Sequence, residues 1–268
     1  MSNNARPVAI DADGPRAVSQ RVAILAAVVW QIGSSFLPAL GLGEPIGNRS
    51  DSVRTLITPA GWAFAIWGPL FFGSLVFAVW QALPKQRANV LVDGIGWWAA
   101  LALAAQGAWA TYTQFANLTV ISAIIICVSL FGLLAILRII VQFERDFSRV
   151  ERLVVVLTFS ALAAWLTAAT IVNITASLVY HGVGDGQDST LTAAMVATGG
   201  LIAATAAARS RGNPWYALVF CWALLAIYFR GGQEATAIAW ACAMAATLVV
   251  AASVVSLGDP ANRKRWFG

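Results

Sequence analysis

The chain has 268 residues, 59% hydrophobic and only 11% charged, with a mean hydropathy of +0.75. A soluble domain carries about 25% charged residues, so a soluble fold is excluded; an outer-membrane barrel is too, because the apolar blocks do not alternate polar and apolar residues over about ten positions. The pI of about 9.6 does not indicate nucleic acid, since Lys and Arg sit in short segments between apolar blocks, as membrane topology requires.

Residues 1–20 read as a polar cytoplasmic tail, with no evident signal peptide. Apolar blocks near the roughly 20 residues needed to cross a bilayer predict spans at 21–42, 58–83, 94–114, 118–141, 152–180, 189–207, 214–230 and 235–257. The first span carries Gln31, Ser34, Ser35 and Pro38. The second opens on Thr58-Pro59-Ala60-Gly61-Trp62-Ala63-Phe64-Ala65-Ile66-Trp67. There Thr58 is predicted to cap the helix and Pro59 to sit in its first turn. Pro69 is predicted to kink the helix by denying a donor to the Ala65 carbonyl. An aromatic helix mouth of this kind is either a site for a flat apolar molecule or an interfacial aromatic belt.

The third span presents Ala100, Ala104 and Ala108 as a small-residue stripe for close helix approach, with Gln106 and Trp109 on a nearby face. On the fifth span Trp165, Ala169 and Asn173 recur every four residues and share a face. An amide there must face a neighbouring helix or a pocket. The sixth span, rich in Ala and Gly, holds the pair Gly199-Gly200, and spans six to eight are otherwise plain. Trp80, Trp97, Trp98, Trp215 and Trp266 fall near span ends and read as interfacial anchors; Trp30, Trp222 and Trp240 read as packing. Cys127, Cys221 and Cys242 lie in apolar runs without CxxC spacing, as small buried hydrophobes.

Eight spans put both termini on one side. All of the 17 Lys and Arg except Arg49, Arg54 and Arg230 then fall on that side, which the positive-inside rule makes cytoplasmic. At 1.5 Å per residue, Trp67, Trp109 and Asn173 lie roughly 12, 8 and 10 Å below the external surface. Residues from three helices thus converge in the outer half of the membrane. The run Arg138–Arg152 reads as a solvated, self-paired loop, and His181–Asp188 as a flexible connector without the ligands of a calcium loop.

The P-x-G-W-x-F-x-x-W segment, Gln106-x-x-Trp109, and Trp165-Leu-Thr-Ala-Ala-Thr-Ile-Val-Asn173, in this order, resemble the TspO/MBR family, the tryptophan-rich sensory proteins related to the translocator protein or peripheral-type benzodiazepine receptor. The chain departs from the family pattern at Gln106, where Asn is usual, and at Ala65-Ile66-Trp67, where a proline-containing P-x-W is usual. The resemblance implies an all-α integral membrane protein of eight spans: a TspO-like five-helix core at 21–181 and a three-helix extension with a basic tail at 182–268. It implies binding of a porphyrin, haem-related tetrapyrrole or sterol-like molecule by Trp62, Phe64, Trp67, Trp109, Trp165, Ala169 and Asn173, with Asn173 or Gln106 expected to orient a polar edge of the ligand. It also implies a homodimer, with no required cofactor, in the bacterial inner membrane.

The resulting expectation is a membrane sensor whose pocket stacks on a planar ligand and signals to a partner the sequence does not name. Passive translocation of the ligand is the alternative. Proton-coupled transport is disfavoured because no Asp, Glu, Lys or His lies inside the predicted spans. An enzyme is disfavoured by the lack of clustered acids or histidines.

Overall fold

The computed structural model describes residues 16–268; most of the predicted tail, Arg6 included, lies outside them. Among the described residues the chain is all helical, and seven helices are long and apolar enough to cross a membrane. An eighth, α1 (Val18–Ser34), has 17 residues and measures about 26 Å, short of an about 30 Å hydrocarbon core. It stops eight residues before the predicted end. Pro38 has no amide to donate to the Ser34 carbonyl, and the chain continues as a short 3-10 turn, Leu37–Leu40. A helix with no sequence signal, α2 (Ile46–Ser52), follows.

The second span differs from its prediction. Thr58 caps nothing in that span: its hydroxyl accepts from the Thr55 amide at 2.9 Å, and Pro59 lies outside any helix. Gly61–Ile66 form a 3-10 turn, and α3 (Trp67–Ala82) begins only at Trp67. Pro69 therefore stands in the first turn of α3, where a missing donor is harmless, and it does not kink a continuous helix.

The remaining elements follow the apolar blocks closely. They are α4 (Val90–Ala116), α5 (Val120–Gln142), the single turn α6 (Arg149–Glu151), α7 (Thr158–Tyr180), α8 (Ser189–Arg209), α9 (Pro214–Ile227), α10 (Thr236–Leu257) and α11 (Pro260–Phe267). A π-helical stretch, Arg152–Leu157, joins α6 to α7, and another, Tyr228–Gly232, extends α9.

Helix α1 packs on α4, α4 on α5 and α5 on α7, while α3 lies against both α1 and α7. Helix α7 is the most enclosed span. Its other sides meet α8 and α9, and α10 covers those two. Gly200 allows α8 and α10 to meet: a Cβ there would stand 2.4 Å from the Ala245 Cβ. The Ala- and Gly-rich sixth block is thus a close-packing surface.

Both described ends of the chain lie at one end of the bundle. The Arg16 amide donates to the Arg87 carbonyl at 2.7 Å. Buried Arg16 also reaches the Gln81 side chain at 3.0 Å, and desolvation pulls its pKa down to about 10. At the other terminus, Trp266 is 1% exposed and donates to the Arg211 carbonyl at 2.9 Å. It is a buried lock for α11, which corrects its reading as an interfacial anchor. Arg265 bonds the Phe143 carbonyl at 2.6 Å, beyond the last turn of α5, and lies over the Phe147 ring. Of the tryptophans read as packing, Trp240 is 66% exposed and faces outward.

The Arg138–Arg152 run is more ordered than a solvated loop. Glu151 is buried in a capping box with Ser148, and it accepts from Arg145 at 2.7 Å and from Asn89 at 3.1 Å. Among the cysteines, Cys242 is buried and Cys221 partly so, while Cys127 faces outward.

The segment between α1 and α3 closes the opposite end of the bundle as a lid. Backbone bonds hold it to α4 (Glu44 N–H to the Gln114 carbonyl, 2.9 Å), to the α7–α8 loop (Leu56 N–H to the Gly186 carbonyl, 3.0 Å) and to α9 (Ala60 N–H to the Ala226 carbonyl, 3.0 Å). Ion pairs Asp51–Arg230 at 2.7 Å and Arg54–Glu234 add to these. The lid passes so close to Gly231 that a Cβ there would lie 1.6 Å from the Leu56 carbonyl oxygen. The loop read as a flexible connector is thus one of the lid's anchors.

Candidate functional site

Beneath the lid, residues from four elements meet. The 3-10 turn decides which aromatic side chains of the second span take part. With three residues per turn, Gly61, Phe64 and Trp67 stack on one side while Trp62 and Ala65 point elsewhere. Phe64 and Trp67 face inward, and Trp165 from α7 stands edge-on to both, at centroid distances of 6.4 and 6.1 Å. Phe71 stacks on Trp67 at 5.2 Å. Trp109 (7% exposed) enters from α4. Phe64, Trp67, Trp109 and Trp165, together with Ala169 and Asn173, wall a narrow slot of about 50 Å³.

Asn173 is 2% exposed, and its Oδ1 accepts from the Ser122 hydroxyl at 3.0 Å, so one end of the amide ties α7 to α5. Its Nδ2 and the indole N–H groups of Trp109 and Trp165 have no partner. All three side chains belong to the wall of the slot, with these atoms themselves fully buried. An unpaired buried donor costs roughly 1–3 kcal/mol.

Gln106 borders a second cavity, of about 370 Å³, between α1, α4 and the lid; Phe64, Trp67 and Trp109 belong to both walls. Six of the eight predicted residues thus meet at the slot and Gln106 at its neighbour. Trp62 does not join them. It is 44% exposed and packs edge-on against Trp222 at 4.9 Å and Phe229 at 6.2 Å. Its prediction assumed an α-helix through Gly61–Ile66, and the tighter turn sends it to the α9 side.

Sequence reasoning missed several wall residues. Ile46 and Ser50 come from α2, and Ala223 and Ile227 from α9, so lid and extension both complete the slot. Their types carry no functional signal. Gln31 and Gln114 were available as amides in or beside apolar blocks. A third concavity, about 790 Å³, opens sideways between the 3-10 turn, α9 and α10, with Pro69, Trp222 and Cys242 among its walls. It is an apolar trough in the lateral surface and holds none of the eight predicted residues. Among the described residues no group of three or more His, Cys, Asp or Glu gathers to hold a metal.

A family profile described as TSPO-like protein matches residues 17–255, from the start of α1 almost to the end of α10. No curated protein and no solved structure matches the chain.

Proposed function

The chain belongs to the TSPO-like family, and on that basis we propose that it is a membrane receptor for a planar apolar ligand of the porphyrin, tetrapyrrole or sterol-like class. The observation that carries this reading is the meeting of Trp67, Trp109 and Trp165, from three different helices, around one slot. Ring stacking contributes about 0.5–1.5 kcal/mol per pair beyond area burial. Apolar walls with a few placed polar groups are the usual make-up of a small-molecule site.

The slot is far smaller than the about 300–1,000 Å³ of such sites. Its walls are shared with the 370 Å³ cavity, so a turn of Trp67 joins the two and admits a ring system. Neither cavity has a titratable side chain in its lining, which favours binding over acid–base chemistry. In this reading the protein is no enzyme and needs no cofactor.

Counting α1 as an eighth span, the basic end of the bundle carries both described ends of the chain and faces the cytoplasm. The lid and site then face the exterior of a bacterial inner membrane. The chain acts as a homodimer in this proposal, and ligand-driven changes in helix packing pass to a partner. Passive translocation is the second reading, favoured by the lateral trough that shares the 3-10 turn and α9 with the slot. Flux of ligand into proteoliposomes separates the two.

The primary test is quenching of tryptophan fluorescence by protoporphyrin in the purified protein. We expect saturable quenching, with apparent affinity at least about tenfold weaker in Trp67→Ala and Trp109→Ala, the loss of one stacking partner and its burial. Quenching that is absent, or unchanged in both variants, refutes the receptor reading.

A further inference from the structure

The basic end of the bundle has more cations than it pairs, and the excess gathers beside α11. Helix α10 has 22 residues and measures about 33 Å, enough to cross an about 30 Å hydrocarbon core. Its last turn and α11 therefore stand at the level of lipid headgroups. The α8–α9 loop packs against that turn: the Ser253 hydroxyl donates to the Gly212 carbonyl at 2.8 Å, and Trp266 of α11 bonds the Arg211 carbonyl. Arg209 and Arg211 are thereby brought to the corner that holds Arg263, Lys264 and Arg265. Val254 and Val255, 62% and 78% exposed on the last turn of α10, give this corner an apolar flank.

Few carboxylates answer these cations. Asp146 pairs with Lys264 at 2.9 Å and also faces the charges of Arg152 and Arg265. Asp259 caps α11 by accepting from the Ala261 amide at 2.8 Å, and Glu151 is engaged by Arg145. Arg265 is partly buried, and its pKa is pulled down to about 10, first by desolvation and then by the nearby charge of Arg211. Like charges so placed repel each other, and the repulsion strengthens where water is excluded.

The position of Arg211 is unusual in a second way. It follows the end of α8 with a φ of 57°. A left-handed residue just past a helix end is usually Gly, because an L side chain crowds its own backbone there. The Arg211 side chain is exposed, and among the described residues no ion pair joins it to a carboxylate. Its carbonyl receives Trp266, a backbone role that Gly would fill as well. The chain thus keeps an arginine where Gly costs less, beside a second arginine that repels it. Arg263 is steadied nearby, its Nη1 donating to the Leu257 and Gly258 carbonyls at 3.2 and 3.4 Å.

We infer that the corner between the α8–α9 loop and α11 binds an anionic phospholipid, its phosphate between Arg211 and Arg263 and its acyl chains along Val254 and Val255. Guanidinium N–H groups match phosphate oxygens in pairs, and the anion offsets the repulsion between Arg211 and Arg265. A basic surface beside a membrane-spanning helix favours anionic lipid by about fivefold per cation. The site is independent of what occupies the aromatic slot.

The test is native mass spectrometry of the full-length protein, delipidated in detergent and titrated with phosphatidylglycerol or with phosphatidylethanolamine of the same chains. Wild type should retain phosphatidylglycerol about tenfold better. Arg211→Gly and Arg263→Gln should each weaken its binding about fivefold. The lipid-free Arg211→Gly protein should unfold at or above the wild-type temperature, since Gly relieves the left-handed strain. Lys85→Gln, which removes an exposed cation on the α3–α4 turn at the same end of the bundle, should change neither.

Equal retention of the two lipids by wild type overturns the inference, as does a preference that survives undiminished in both arginine variants. An equal loss in Lys85→Gln would show diffuse surface charge in place of a site. Displacement of the lipid by an equal concentration of glycerol 1-phosphate would make a soluble phosphate the ligand. A lower unfolding temperature for lipid-free Arg211→Gly would assign the arginine to the fold and defeat the inference too.

Discussion

Trp62 and Trp67 are five residues apart in one motif, yet they have different surroundings. Trp67 shares a slot with Trp165, whereas Trp62 lies against Trp222 and Phe229 outside it. Trp62→Ala should therefore lower thermal stability by about 1 kcal/mol through lost edge-to-face contacts. It should leave protoporphyrin affinity within about twofold, the effect of a substitution remote from the site. A tenfold loss in a quenching titration would return Trp62 to the site. The identity of an aromatic residue was legible in the sequence, but its direction depended on whether the turn has 3.0 or 3.6 residues. Asn173 was easier to place, because a buried amide in an apolar helix must find a partner, and Ser122 supplies one. Trp266 misled because a tryptophan near a span end fits an interface as well as a buried lock.

At the scale of elements, apolar blocks set where helices lie, and small residues set how closely they pack. Gly200 faces Ala245 across the α8–α10 contact. Gly200→Val should separate the two helices and lower stability by about 1–3 kcal/mol, the usual cost of overpacking. Ala245→Gly should recover part of that loss in a double-mutant cycle followed by thermal unfolding in detergent. Simple additivity would show that the two residues do not share the contact. The extents of α4, α5, α8 and α10 were readable within a few residues, since each is a long apolar run, and the first three open on the polar caps Asn89, Thr119 and Asp188. Short α2 was not, because Ile46 is the one large apolar side chain in its seven residues, and that gives no periodicity to identify a helix.

For the whole molecule, the lid joins parts of the chain that sequence reading divided. Its ion pairs run to Arg230 and Glu234, beyond α9, and Ala223 and Ile227 of α9 face the slot. The double variant Asp51→Asn/Glu234→Gln should admit ligand severalfold faster in stopped-flow quenching. Stability should change by no more than about 1 kcal/mol per pair, because exposed ion pairs contribute little. Salt near 1 M should speed the wild type toward the variant, since the Debye length is then about 3 Å. Unchanged entry rates in the variant would rule out the pairs as a latch.

Composition and charge placement by themselves determined that this is a helical membrane protein, roughly where its long helices run, and which tryptophans and amides stood out. Those properties follow from local chemistry, because a bilayer admits only long apolar helices with satisfied backbones. Tertiary structure alone decided that the second span starts with a 3-10 turn and that the lid and α9 complete the slot. Each of these depends on contacts between residues far apart in the chain. Their partners are fixed only when the helices pack, so no local pattern records them.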